Sequence, residues 1–151
     1  MKKTLVILFL VILSVARAEA LVSENSLKAA FIFHFIGYIE WKDAETKYYV
    51  CIPDDDSLRA SAAEAFKEKS VNNRPIVVTD KNDSCHILVS DNVPPPDGVL
   101  TIGPLNKGAM LEFRLINNKL KFAASLENIK KSSLKISSQL LKLAILEKGS
   151  S

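Results

Sequence analysis

Two short stretches, Ile76-Val77-Val78-Thr79 and His86-Ile87-Leu88-Val89-Ser90, run apolar at their centres without alternating with polar residues. Strands of that kind must be covered on both faces, the condition met inside a largely parallel sheet. Tyr48-Tyr49-Val50-Cys51-Ile52, stopped by Pro53, and Val99-Leu100-Thr101-Ile102-Gly103 read as two more strands. Between the Tyr48 to Ile52 and Ile76 to Thr79 strands lies the acidic turn Asp54-Asp55-Asp56-Ser57, then a predicted helix from Leu58 to Lys69 with Ala60, Ala63 and Phe66 as its apolar stripe. Strands alternating with helices indicate a layered α/β domain with a mainly parallel sheet.

The segment before these strands predicts a helix over Ser23 to Tyr38, capped by Ser23 or Asn25. Its stripe is Leu27, Ala30, Phe31, His34, Phe35 and Tyr38, with Ile32 and Phe33 partly off it, so the helix is apolar on more than one face. Pro94-Pro95-Pro96-Asp97-Gly98 is a stiff loop. After Gly108 the pattern alternates: Ala109 to Ile116 and Lys119 to Ala124 flank Asn117-Asn118, a two-residue hairpin signal, because Asn tolerates positive φ. Ser125 caps a short helix over Leu126 to Lys131, and a last helix containing Leu140, Leu141, Leu143 and Ala144 starts near Ser137 or Ser138.

Residues 1–20 read as a secretory signal peptide. Met1-Lys2-Lys3 is a basic start, Thr4 to Val15 is nearly all apolar, and Ala16-Arg17-Ala18 and Ala18-Glu19-Ala20 are small-residue cleavage sites. The apolar run is shorter than the roughly 18 residues a membrane span needs. The expected organisation is a leader cleaved after Ala18 or Ala20, one domain over 21–147 and a flexible tail over 148–151, with no membrane insertion after cleavage. The chain has 20 Lys+Arg and 17 Asp+Glu. Cleavage after Ala18 removes Lys2, Lys3 and Arg17 and leaves the two signs equal; cleavage after Ala20 also removes Glu19 and leaves a single net positive charge. Lys119, Lys121, Lys130, Lys131, Lys135 and Lys142 are spread as a solvated face, so nucleic acid is not an expected partner. The two cysteines, Cys51 and Cys85, form an even count in an oxidising compartment and point to a disulfide, with two buried thiols as the alternative.

The residue types for catalysis are sparse. His34 and His86 are the only histidines, and neither sits in a metal-ligand spacing; no metal and no cofactor is expected. Asp54-Asp55-Asp56 lacks the Gly and distal Glu of a calcium loop. Cys85 and His86 are adjacent on a strand and point to opposite faces, and Ser90-Asp91 and Ser125 have no evident histidine partner. No catalytic residue is assigned and the chain reads as a non-enzyme. Phe31, Phe33, Phe35, Tyr38 and Trp41 instead crowd into eleven residues. Core packing accounts for most such residues, and aromatics on several helix faces can also anchor a protein partner. A small-ligand binding domain is the alternative, since layered α/β sheets bind ligands at the carboxyl ends of their strands.

The order of these features resembles the YfiR/HmsC-like family of periplasmic proteins. Lys28-Ala29-Ala30-Phe31 running to Glu40-Trp41 is similar to its opening helix, followed by Cys51-Ile52, Arg74-Pro75-Ile76-Val77-Val78, Cys85-His86-Ile87-Leu88, Val99 to Ile102, Gly108-Ala109-Met110 with Phe113, Leu120 to Phe122, and Leu134 to Leu141. The chain departs from the pattern at Lys42, where the family has Pro; at Gly108-Ala109, often Gly-Gly; and at Phe122-Ala123-Ala124-Ser125, usually Phe-x-Ile-Asn. The resemblance implies a three-layer α/β/α sandwich, often dimeric, with a disulfide joining Cys51 and Cys85. It also implies a repressor that holds an inner-membrane diguanylate cyclase inactive through its periplasmic sensor part, lowering cyclic-di-GMP signalling and biofilm formation. Expected partner contacts are Phe31, Phe33, Phe35, Tyr38 and Trp41 of the aromatic helix and Met110, Phe113 and Phe122 around the hairpin.

Overall fold

The computed structural model describes residues 24–42, 45–92 and 96–147. The expected leader, the Ser23 cap, Pro94 and Pro95 of the stiff loop, and the tail over 148–151 lie outside the described residues.

Helix α1 spans 24–37 and leads into the two-residue strand β1 (Ile39–Glu40). There follow β2 (Tyr48–Cys51), α2 (Asp56–Phe66), β3 (Ser70–Val71), β4 (Arg74–Thr79), β5 (Ile87–Val89) and β6 (Leu100–Ile102). A single 3-10 turn (Leu105–Lys107) precedes β7 (Leu111–Ile116), β8 (Lys119–Ser125), α3 (Leu126–Lys131), β9 (Lys135–Ile136), α4 (Ser138–Leu143) and β10 (Ile145–Glu147). Eight strands form one sheet in the order β10-β8-β7-β6-β5-β2-β4-β3; β1 and β9 form a separate antiparallel pair. Within the large sheet only β7–β8 and β3–β4 are antiparallel, so the fold is an α/β sandwich on a mainly parallel sheet with an antiparallel hairpin, as the sequence predicts.

Local chemistry explains the joints. Asp55 caps α2 by accepting from Leu58 N at 3.0 Å, and the guanidinium of Arg59 donates to Ile52 O at 2.8 Å, tying the helix start to the end of β2. Both hairpin turns carry paired positive φ on asparagines, Asn117 (53°) with Asn118 (62°) and Asn72 (51°) with Asn73 (61°), the conformation that matches strand twist. Ser125 accepts from Asn128 N at 3.1 Å and caps α3.

The register sets the two faces of the sheet. Val50, Ile87, Leu100, Ile102, Leu111, Phe122 and Ala124 belong to the main core, together with Ala29, Ile32, Phe35 and Ile36 of α1 and Leu58, Ala62 and Phe66 of α2. Phe33 lies 6.1 Å from Phe66, so the two helices lie side by side over this core. The second cluster is Cys51, Leu88 and Val99, with Cys85 packed on it.

Four expectations need correction. Ile76, Val77, Val78 and Thr79 of β4 are half-buried and not covered on both faces, because among the described residues β3 pairs only with Arg74 and Pro75 and leaves the rest of β4 at the edge of the sheet. On α2 the buried stripe is Leu58, Ala62 and Phe66, and Ala60 and Ala63 face solvent. On α1 the buried face is Ala29, Ile32, Phe35 and Ile36; Leu27, Ala30 and His34 are exposed, so His34 is not a core histidine. The last helix stops at Leu143, because residues 145–147 leave it to pair with β8.

Candidate partner-binding surface

The aromatic residues singled out in the sequence divide by depth. Phe35, Phe122 and Met110 are between 1% and 3% exposed. The Phe35 and Phe122 rings meet edge to face at 5.0 Å, and both rings belong to the main core. These three side chains have no surface to offer a partner; the reason is geometric, because α1 lies directly over the β7–β8 hairpin. Phe31 bridges the same pair, 5.7 Å from Phe122 and 6.1 Å from Phe113, and is half-buried. Phe33, Tyr38, Trp41 and Phe113 are also half-buried, each packed against the core on one side. Lys28 and Lys69 place their ammonium groups over the rings of Phe113 and Phe33, at 5.9 and 5.4 Å, so the accessible sides of these rings are partly capped by cations.

The large apolar side chains exposed among the described residues, none of them expected from the sequence as a partner contact, are Leu27 of α1, Leu115 and Ile116 at the hairpin tip, Leu143 of α4 and Leu146 of β10. Pairing of Leu115 with Leu120, and of Phe113 with Phe122, puts Leu115 on the face that α1 covers further along the hairpin. The exposed residues of α1 are Ser26, Leu27, Ala30, His34 and Gly37, so its outer side carries no carboxylate or ammonium group and is mixed, with Leu27 its one large apolar side chain. The signal that could have found the hairpin tip is Leu115-Ile116 itself, two apolar residues next to a turn.

The opposite face of the hairpin is polar. Arg114 donates to Glu112 at 2.9 Å and also to Glu147 of β10. These hydrogen bonds hold the Glu147 carboxyl below the usual carboxylate range and raise the Arg114 guanidinium further. At the other end of the sheet, Tyr49, Tyr48 and Trp41 surround His86, whose Nδ1 accepts from Tyr49 N at 2.9 Å. Arg74 lies 3.9 Å over the Tyr48 ring.

Cys51 and Cys85 are joined by a disulfide across a sequence separation of 34, with Cα atoms 5.9 Å apart. It ties the end of β2 to the residue two before β5, next to the pairing of Cys51 with Leu88. Cys85 is therefore no nucleophile in this form. Among the described residues no group of three or more His, Cys, Asp or Glu side chains is placed to hold a metal ion. At the carboxyl ends of β5 and β6, the cleft lined by Leu88, Ser90 and Thr101 encloses about 10 Å³, room for one water rather than an organic ligand.

A family model described as YfiR/HmsC-like matches residues 25–145. The chain belongs to that family. None of the curated proteins matches it. The YfiR/HmsC-like proteins are known as periplasmic regulators of diguanylate cyclases. No described helix of this member is long and apolar enough to cross a membrane. Its departures from the family pattern fit the fold. Gly108 has φ 100°, where glycine is required, whereas the carbonyl of Ala109 accepts from Asn128 Nδ2 at 2.7 Å, a bond that needs no glycine. Ser125, in place of the family's Asn, still caps α3.

Proposed function

We propose that this chain is a periplasmic repressor that binds the sensor domain of an inner-membrane diguanylate cyclase and favours its inactive state, lowering cyclic-di-GMP output and biofilm formation. The observation that carries the reading is the family match over residues 25–145. The sequence supports it with a leader over 1–20, cleaved after Ala18 or Ala20, which would deliver the domain over 21–147 to the periplasm. The disulfide fits an oxidising compartment. The chain acts by contact and not by catalysis, and its effect is limited by the difference in its affinity for the two states of the sensor.

The contact surface in this reading is the half-buried pair Phe31 and Phe113, extended by the exposed Leu27 and Leu115, with Phe33, Tyr38 and Trp41 as further contacts away from the hairpin. Partially exposed aromatics beside leucines give a contact area whose core can be desolvated while the lysines form its rim.

The test is crosslinking in intact cells, with photo-crosslinking residues placed at Leu27 and Leu115, followed by identification of the captured protein by mass spectrometry. Capture of a membrane protein carrying a cytoplasmic cyclase domain supports the reading. Capture of the chain alone from both positions refutes this surface.

A further inference from the structure

The edge of the large sheet beyond β2 is only half closed. β3 pairs with Arg74 and Pro75 of β4 and stops there, so among the described residues no strand lies beside residues 76–79. The described chain is continuous from 45 to 92, so β4 and its flanking segments all belong to it. Thr79 O accepts from Ile52 N at 2.9 Å, which turns the backbone groups of Thr79 toward β2. Neighbouring residues of a strand aim their N–H and C=O to opposite sides, so those of Val78 point outward. Between β4 and α2 runs an open groove of about 400 Å³. Val78 and the exposed Ala60 and Ala63 give it a small apolar floor, and Asp56 and Asp80 stand at the carboxyl end of the sheet. Arg59 is committed to Ile52 O and to Asp56, which leaves the exposed Asp80 carboxylate without an ion pair among the described residues.

We propose that this edge takes up an extended, basic segment of a partner protein as an added strand beside β4. Strand addition draws its affinity from main-chain hydrogen bonds and its selectivity from alternate side chains. Here the N–H and C=O of Val78 supply the former, and the groove over Ala60 and Ala63 takes small or β-branched apolar side chains at every second position of the segment. Antiparallel pairing is the more stable arrangement per residue. It places the first residues of the segment beside Asp80 and Asp56, where lysine or arginine meets a carboxylate. Edges closed to other strands are blunted by lysine, proline or a bulge. Pro75, the one proline of β4, lies beside β3, and residues 76–79 carry no charge, so this stretch has no such guard. The added strand rests neither on the cyclase reading nor on the aromatic surface.

The test is a nuclear magnetic resonance titration of the isotope-labelled chain, expressed with its own leader and purified as the host processes it. The probe is a synthetic hexapeptide, Lys-Lys-Val-Thr-Val-Thr, blocked at both ends. Saturable shifts of the Val78 and Asp80 amide signals are expected, and replacing both lysines of the peptide by glutamate weakens binding by at least about tenfold. Val78→Pro removes the outward N–H at a position where an edge strand tolerates proline, and abolishes binding. Asp80→Lys inverts the preference, so that the glutamate peptide binds more tightly than the lysine peptide; this arm decides the matter if far-UV circular dichroism shows Val78→Pro to be unfolded. Absence of saturable shifts at these amides, unchanged binding by folded Val78→Pro, or a lysine preference that survives Asp80→Lys overturns the proposal. Shifts of the same amides that follow protein concentration without peptide also overturn it, since they would place a second copy of the chain on the edge.

Discussion

Removing the Cys51–Cys85 bond is the perturbation whose size the structure fixes best. The bond closes a loop of 34 residues that contains β2's exit, all of α2, β3 and β4. In the chain-entropy treatment, a loop of that length stabilises the folded state by about 4 kcal/mol, because the cross-link removes conformations from the unfolded chain. Cys51 is fully buried beside Leu88 and Val99, so the replacement must be small and apolar at that end; Cys51→Ala with Cys85→Ser meets this requirement. A domain of this size has a total stability of about 5–15 kcal/mol, so the loss is a large fraction of the whole. Urea unfolding of the double variant and of the native protein, each with and without reductant, measures it. Reductant should lower the native protein toward the variant and leave the variant unchanged. The midpoint of thermal unfolding should fall by about 10–20 °C. A loss below about 1 kcal/mol would refute the reasoning, since it would mean that the unfolded chain holds these two segments together without the bond.

Four further outcomes follow from named contacts. Ile32→Ala should cost about 2–5 kcal/mol in urea unfolding, whereas Leu27→Ala on the outer side of α1 stays within about 0.5 kcal/mol; equal losses would mean the helix is turned differently. Asn117→Val forces a β-branched residue into positive φ and should cost about 1–2 kcal/mol, while Asn117→Gly should cost nothing, both by thermal unfolding. Ser125→Ala should remove about 1 kcal/mol or more, because the cap it provides is buried. Glu147 has a folded-state pKa held below its unfolded value, so its contribution is present above the unfolded carboxylate pKa and fades as pH falls through the folded one. A pH series of unfolding midpoints should lose part of its acid-side slope in Glu147→Gln.

Strands β2, β4, β5 and β6 were legible because each lies within a dense apolar run between turn residues. The β7–β8 hairpin was legible because Asn117-Asn118 names its own turn. The same dipeptide logic at Asn72-Asn73 went unread, because β3 offers only Ser70 and Val71 on one side of it. Strands of two or three residues carry no period; β9 exists through Ile39 opposite Ile136, and β10 through Leu146 opposite Ala124, both long-range partners. The orientation of α1 was misread for a different reason. A helix apolar on several sides has no single stripe, and its buried face is chosen by the Phe113 and Phe122 rings beneath it. That is also why Phe35, Met110 and Phe122 looked like partner anchors in the sequence: an aromatic in the core and an aromatic at an interface look alike until depth is known. The exposed leucines of the hairpin tip and of β10 were missed because single apolar residues near turns carry little weight on their own.

The most direct test of the regulatory account is the cellular concentration of cyclic-di-GMP, measured by mass spectrometry in the source organism after deletion of this chain. The account predicts a rise on deletion, reversed by the chain expressed with residues 1–20 and not by a version lacking them. An unchanged concentration, or a full reversal by the leaderless version, would contradict it.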